Sequence, residues 1–399
     1  MVAFGPIEEK TGGYEVRCSQ IVQSLADLGH EVHILEFPTV LTEKKEISLV
    51  REERKVRFVH LRGNERAQNL FFKTLISQLE KSIIIYPILF AKIQLYSIVE
   101  LLRFVGIIED CEVVFVESVF FPFAVVLARL LKKRVILDTH YVGKLQAQKY
   151  KRKYNFFRLL AWDFLERFAS NLSEFVIVVS EEEEAFVKRE YRVSEQKLVM
   201  IPVTVETSKT KISRQTLKEI SKEWNLQNKI VVTFLGTLET IPNRDAATYI
   251  IQELAPSMYR KNKDIIFLII GKGKERFRGC SLPNVVFTGF IKDIAPLLQL
   301  SDLCIAPIRM GSGVKTKVLE YMSYGKPVLS TPEGIRGIHV KNAESIFVSD
   351  INKYPEKLVE IISNLDELKR KGKIAEEIVR KQYSPSTIKK RISKILHQT

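Results

Sequence analysis

Cysteine is scarce. The four residues Cys18, Cys111, Cys280 and Cys304 show no CxxC spacing, which argues against a disulfide framework or a zinc site and for a reducing compartment. The six histidines contain no HExxH. The opening residues, MVAFGPIEEKTGG, place no basic stretch before an apolar one, so no secretory leader is expected. An uncharged run of bilayer length is also missing. The longest apolar tract, residues 82–108, is interrupted by Lys92, Glu100 and Arg103, whereas a spanning helix wants roughly 20 apolar residues with few charges. A buried or interfacial helix fits it better. Acids are outnumbered, 47 against 62 bases, for a net charge of +15. That balance favours an anionic partner (nucleic acid, a membrane surface or a phosphate-bearing substrate) or else a solubilising surface.

What the sequence does have is alternation. Runs at residues 2–4, 31–37, 56–61, 112–117, 134–138, 175–179 and 197–201 are apolar on successive positions, as strands buried on both faces are. Helix-length segments separate them, such as residues 13–29, which end on a glycine placed to stop a helix. Residues 206–229 are polar and lysine-rich and read as a linker with a surface helix. The same grammar then restarts. Strands are expected at 230–235, 265–270, 285–288, 303–308 and 327–330, with helices at 244–259, 294–300 and 314–324 and charged helices from Tyr354 onward. This is the βαβ pattern of doubly wound α/β sheets, two in succession.

The stretch MGSGVKTKVLEYMSYGKPVLST, residues 310–331, carries the most chemistry. It is no P-loop: Glu320 stands where the first glycine should, and Pro327 follows Lys326 where Ser or Thr should hold magnesium. Gly311-x-Gly313-x-x-Thr316 nearly matches a dinucleotide fingerprint, but no acid ends the next strand; an NAD(P) oxidoreductase stays open as an alternative. Val314, Val318, Tyr321 and Met322 form an apolar stripe, and Thr316, Glu320 and Ser323 share another face. A helix N-terminus with Lys315 and Lys317 in its first turn suits phosphate. A carboxylate farther in, Glu320, suits two ribose hydroxyls. The competing reading is a surface helix with a Lys317–Glu320 pair, worth a few tenths of a kcal/mol.

Glycine turn, helix and LEYMSYGKPVLST together resemble the donor-nucleotide motif of GT-B glycosyltransferases of the retaining family four, the "group 1" transferases. VVTFLGTLETIPNRDA, IFLIIGKGKE and VVFTGFIKDIAPLLQLSDLCIAPI are similar to other parts of that family's second domain. TGGYEVRCSQIVQSLADLGHEVHIL, VILDTHYV and FLERFASNLSEFVIVVSEEE are similar to parts of its first. The resemblance implies a GT-B fold, with two Rossmann-like doubly wound domains facing each other across a cleft. Residues 1–205 would bind the acceptor and residues 206–384 the nucleotide sugar, with a C-terminal helix, 385–399, packing back on the first domain. It implies that Glu320 holds the ribose, and that Gly313, Lys315, Thr316 and Lys317 hold the diphosphate. Gly12 and Gly13 would approach the phosphate, the backbone at Phe290 and Ile291 would read the base, and His140 would act at the sugar. Domain closure would exclude water. Sugar transfer to a glycan or lipid-linked acceptor, with anomeric retention and without metal or other cofactor, is the implied activity. No Asp-x-Asp occurs anywhere, so a metal-dependent transferase pattern has no support.

Three departures from the pattern matter. Ser312 stands where the family has a glutamate that touches the donor sugar. GTLETIPN lacks the usual Arg and Lys, leaving Lys315, Lys317 or Arg244 to supply the charge. Pro202-Val203-Thr204-Val205-Glu206 replaces the usual Pro-Asn-Gly-Val-Asp. On the acceptor side, residues 143–168 interleave Lys144, Lys149, Lys151, Arg152 and Lys153 with Tyr150, Tyr154, Phe156 and Phe157. That suits an anionic membrane surface on the cytoplasmic face, or a solvated helix face. A basic nucleic-acid-binding protein would explain the charge but not the two α/β domains.

Overall fold

The computed structural model describes residues 2–4, 13–37, 50–51, 56–60, 105–117, 122–140, 142–145, 156–207, 212–279, 281–311, 313–339 and 344–398. They form two compact units: Met1–Pro202 with Pro385–Thr399, and Val203–Ser384.

The first unit is built on an eight-stranded sheet. Its strands are β1 (Val2–Phe4), β2 (Val32–Phe37), β3 (Val50–Arg51), β4 (Val56–His60), β5 (Val113–Glu117), β6 (Arg134–Asp138), β7 (Phe175–Val178) and β8 (Leu198–Met200), in the order β3-β4-β2-β1-β5-β6-β7-β8. All described pairings are parallel except β3 with β4. The central strands are short unbroken apolar runs; all four residues of β7 are buried, as expected where helices cover both faces. The helix Gly13–Asp27 packs Cys18, Ile21, Val22 and Leu25 into one core, and Ile388, Ile392 and Ile395 of the helix Pro385–His397 join the same core. Arg134 secures that last helix. Its guanidinium donates to the carbonyls of Ile395, Leu396 and Gln398 at 3.2, 3.1 and 3.1 Å, filling acceptors that a helix C-terminus leaves unpaired.

The second unit has six parallel strands: β9 (Ile230–Leu235), β10 (Ile265–Ile270), β11 (Val285–Gly289), β12 (Leu303–Ala306), β13 (Val328–Ser330) and β14 (Phe347–Val348), in the order β11-β10-β9-β12-β13-β14. Every residue of β10 is buried. The chain builds outward from β9 through β10 and β11, then returns to the other side of β9 with β12. The β9/β12 boundary is therefore the topological switch point, where such sheets open a ligand crevice at their carboxyl ends. The helix expected at 244–259 begins earlier. Ile241–Tyr249 carries Pro242 in its first turn, where a missing N–H costs nothing. It continues through a π turn, Ile250–Leu254, into Ala255–Lys261.

Candidate functional site

Two loops meet at the second unit's switch point. One follows β9 and opens with Gly236. The other follows β12 and runs through Gly311 and Gly313 into the helix Thr316–Ser323. Val318, Leu319, Tyr321 and Met322 of that helix are fully buried, and the Tyr321 hydroxyl accepts the Leu235 N–H at 2.6 Å. The helix is thus fixed to the end of β9 on one side, and Lys317 and Glu320 are carried at its edge.

Lys317 does not pair with Glu320. Its ammonium lies over the Phe234 ring, 4.3 Å from the centroid, and donates to Asn243 Oδ1 at 2.5 Å. A Cβ on Gly236 would stand 2.7 Å from this nitrogen, so only glycine leaves room for it. Burial, reinforced by the Lys315 charge, pushes Lys317 down to about 7. Burial likewise pushes Glu320 up to about 7 against the pull of Lys317. Among the described residues no side chain or backbone group hydrogen-bonds the Glu320 carboxylate; its backbone carbonyl accepts from the Ser323 hydroxyl and the Tyr324 N–H.

The neighbouring turns are held tightly. Gly271 has φ +146°, and a Cβ there would come within 2.1 Å of the Gly236 carbonyl oxygen. Gly311 and Gly313 have φ of 134° and 66°. Lys315 turns back on this loop, donating to the carbonyls of Gly311 and Gly313 at 3.3 and 2.8 Å and lying 3.6 Å from Glu333. It therefore braces the glycine turn. Arg309 makes two bonds to Asp245, at 2.9 and 2.6 Å, tying the loop to the helix Ile241–Tyr249. Thr316 is exposed at the helix start, and Arg244 follows Asn243 on the Ile241–Tyr249 helix. Beyond β11, Phe290 is 65% exposed with the Lys272 ammonium 4.9 Å from its ring centroid. Ile291 packs toward the core beside it.

In the first unit, His140 lies just past the end of β6 with φ +53°. Its Nε2 is 2.6 Å from Glu117 Oε2, and its N–H donates to Asp138 Oδ1 at 3.2 Å. Asp138 also receives Arg17, at 2.7 and 3.3 Å, and Arg17 donates to the Pro202 carbonyl at 3.2 Å. Arg17, Cys18, Glu117 and Asp138 are all buried. Burial pushes Asp138 up most strongly, but the Arg17 and His140 charges and the hydrogen bonds from Arg17 and the His140 backbone together hold the carboxyl below its ordinary value. Burial raises Glu117, against the opposing hydrogen bond from His140. Gly13 opens the first helix. Gly12, Ser312 and residues 146–155 lie outside the described residues.

The model for "Glycosyltransferase Family 4" matches residues 11–209, and that for "Glycosyl transferases group 1" matches residues 229–365. The chain belongs to the group 1, family 4 glycosyltransferases. Solved structures agree on its GT-B α/β fold. This glycosyltransferase is similar to Anabaena HepE in complex with UDP, at TM-score 0.70 and 14% identity over 100% of this chain and 99% of that one. It is also similar to sucrose-phosphate synthase from Thermosynechococcus elongatus, at TM-score 0.66 and 17% identity over 100% and 98%. A third is WaaG, a glycosyltransferase involved in lipopolysaccharide biosynthesis, at TM-score 0.65 and 13% identity over 100% of both chains. No curated protein matches the glycosyltransferase by sequence.

The structure adds to the sequence reading in two places. Asn243 is the partner of Lys317, a contact spanning 74 positions. Glu117, Asp138 and Arg17 surround His140; the one available signal was an acid closing each of two otherwise apolar strands.

Proposed function

We propose that this glycosyltransferase moves a sugar from a nucleoside diphosphate sugar to a glycan or lipid-linked acceptor, with retention of configuration and without metal. The observation that carries the donor assignment is the Lys317–Glu320 arrangement. It sets a buried ammonium and a half-buried carboxylate with no hydrogen-bond donor of its own at the switch point of a parallel sheet. Glu320 would accept the ribose hydroxyls. Departure of the diphosphate builds negative charge, which Lys317 and the first-turn N–H groups of the Thr316–Ser323 helix would stabilise without reorganisation. Lys315 would serve by shaping the turn, the backbone at Phe290–Ile291 would meet the base, and His140 would act at the transferred sugar. Calorimetry with UDP-glucose and UDP tests this reading. Binding that is unchanged by EDTA is expected; a strict need for magnesium or manganese would refute the metal-free mechanism.

For the acceptor, we propose that residues 143–168 face an anionic membrane surface. No helix among the described residues is long and apolar enough to cross a membrane. On the helix Phe156–Leu172, however, Leu160, Phe164 and Phe168 recur every fourth residue and are exposed, an apolar stripe following a basic stretch. Flotation with phosphatidylserine vesicles should be lost when Lys149, Lys151, Arg152 and Lys153 are neutralised. Equal flotation of both proteins would remove the membrane claim.

A further inference from the structure

Glu117 ends β5, Asp138 ends β6, and the two are register partners across that parallel pair. Two buried acids side by side need separate sources of compensation. Asp138 finds it in the Arg17 guanidinium and the His140 N–H. Glu117 finds it in the His140 ring. The left-handed backbone of His140 is unfavourable for a residue with a Cβ and persists only where the surroundings hold it. Here one acid holds its backbone and the other its ring.

We propose that Glu117 is the positioning residue for His140: its carboxylate accepts the Nε2 proton and fixes the neutral ring as the Nε2–H tautomer, with Nδ1 the basic nitrogen. The functional part of this rests on the assignment of His140 to sugar chemistry. Among the described residues, the charged and titratable groups facing the ring are Glu117 from β5, Asp138 from β6, and Arg17 and Cys18 from the first helix. Asp138 is taken up by Arg17 and the His140 backbone N–H, so Glu117 is the acid that hydrogen-bonds the imidazole.

A metal ion is the rival explanation, since the donor atoms of Cys18, Glu117 and His140 lie within 4.8 Å of one another. The distances decide between them. Nitrogen and oxygen ligands at about 2.0–2.2 Å on a tetrahedral ion stand roughly 3.4 Å apart. The observed 2.6 Å is instead a short hydrogen bond to a charged acceptor. The Cys18 thiol, 3.8 Å from His140 Nε2, adds a weak hydrogen bond to Glu117 Oε2 at 3.7 Å.

Nitrogen-15 NMR of the His140 ring, with kcat and KM for UDP-glucose turnover, tests the proposal in wild type, Glu117→Gln, Glu117→Leu, His140→Ala and the double variant. Wild type should show hydrogen on Nε2 in the neutral ring. Glu117→Gln, whose amide oxygen still accepts, should keep that tautomer and most of kcat. Glu117→Leu should mix the tautomers and lower kcat about tenfold at unchanged KM, and should add nothing to His140→Ala. Hydrogen on Nδ1 in the wild type would overturn the proposal. So would an unchanged tautomer in Glu117→Leu, or stoichiometric zinc retained by wild type and lost in Cys18→Ser. If His140→Ala turns over normally while Glu117→Leu still mixes the tautomers, the positioning stands and the role of His140 at the sugar falls.

Discussion

Replacing His140 by alanine should cut turnover of the nucleoside diphosphate sugar about a hundredfold while leaving nucleoside diphosphate affinity within about threefold of wild type. The proposed role places His140 at the sugar during bond cleavage, while the side chains proposed to hold the nucleotide, Lys317 and Glu320, belong to the second unit. Its loss should therefore appear in kcat and not in nucleotide binding. Calorimetry with UDP and steady-state release of UDP separate the two. A variant that loses UDP affinity instead would move the donor site away from Lys317 and Glu320.

The second large effect concerns Glu320. Glu320→Gln keeps the helix, since the two residues have similar propensity, but removes the charge from hydrogen bonds worth roughly 1.5–3 kcal/mol each. Donor affinity should fall by about one to two orders of magnitude. The same variant reports on pH. Burial raises the folded-state Glu320 from 4.5 to about 7, so its stabilising contribution is present below about pH 4.5 and lost as pH rises through about 7. Glutamine does not titrate. The Gln variant should accordingly gain melting temperature relative to wild type between about pH 5 and pH 8. Lys317 has the opposite slope: lowered from 10.5 to about 7, it favours the folded state increasingly as pH rises from about 7 to 10.5. The two slopes place their combined minimum near neutrality in the unliganded protein. A pH-independent difference between wild type and Glu320→Gln would show that the carboxylate is not desolvated.

Much of the fold was legible because its strands are buried on both faces. Runs such as IIFLII need no alternation to be read, and β6, β9 and β10 fall on their expected residues. β3 and β14 are two residues each, too short for any period to register. In the candidate site, helical spacing was enough to place Glu320 on a different helix face from the buried stripe of Val318, Tyr321 and Met322. The destination of Lys317 was not: an i,i+3 acid is the local expectation, and Asn243 prevails because Phe234 and Gly236 open a slot for the ammonium. Arg17 was equally hidden. Within an amphipathic helix an arginine reads as solvent-facing, and only the fold shows Asp138, 121 positions away, as its partner.

The return of the last helix to the first unit also orders events during synthesis. Residues 203–384 must be made before Ile388, Ile392 and Ile395 can cover Cys18, Ile21 and Leu25. At about 5–20 residues per second this interval lasts roughly 10–40 s. The unit that begins first on the ribosome is therefore completed last. Until then its first helix keeps an uncovered apolar face, while the second unit, encoded without interruption, has its whole sequence in hand. A frameshift or stop codon just after Ser384 would spare the second unit and leave the His140 unit without part of its core.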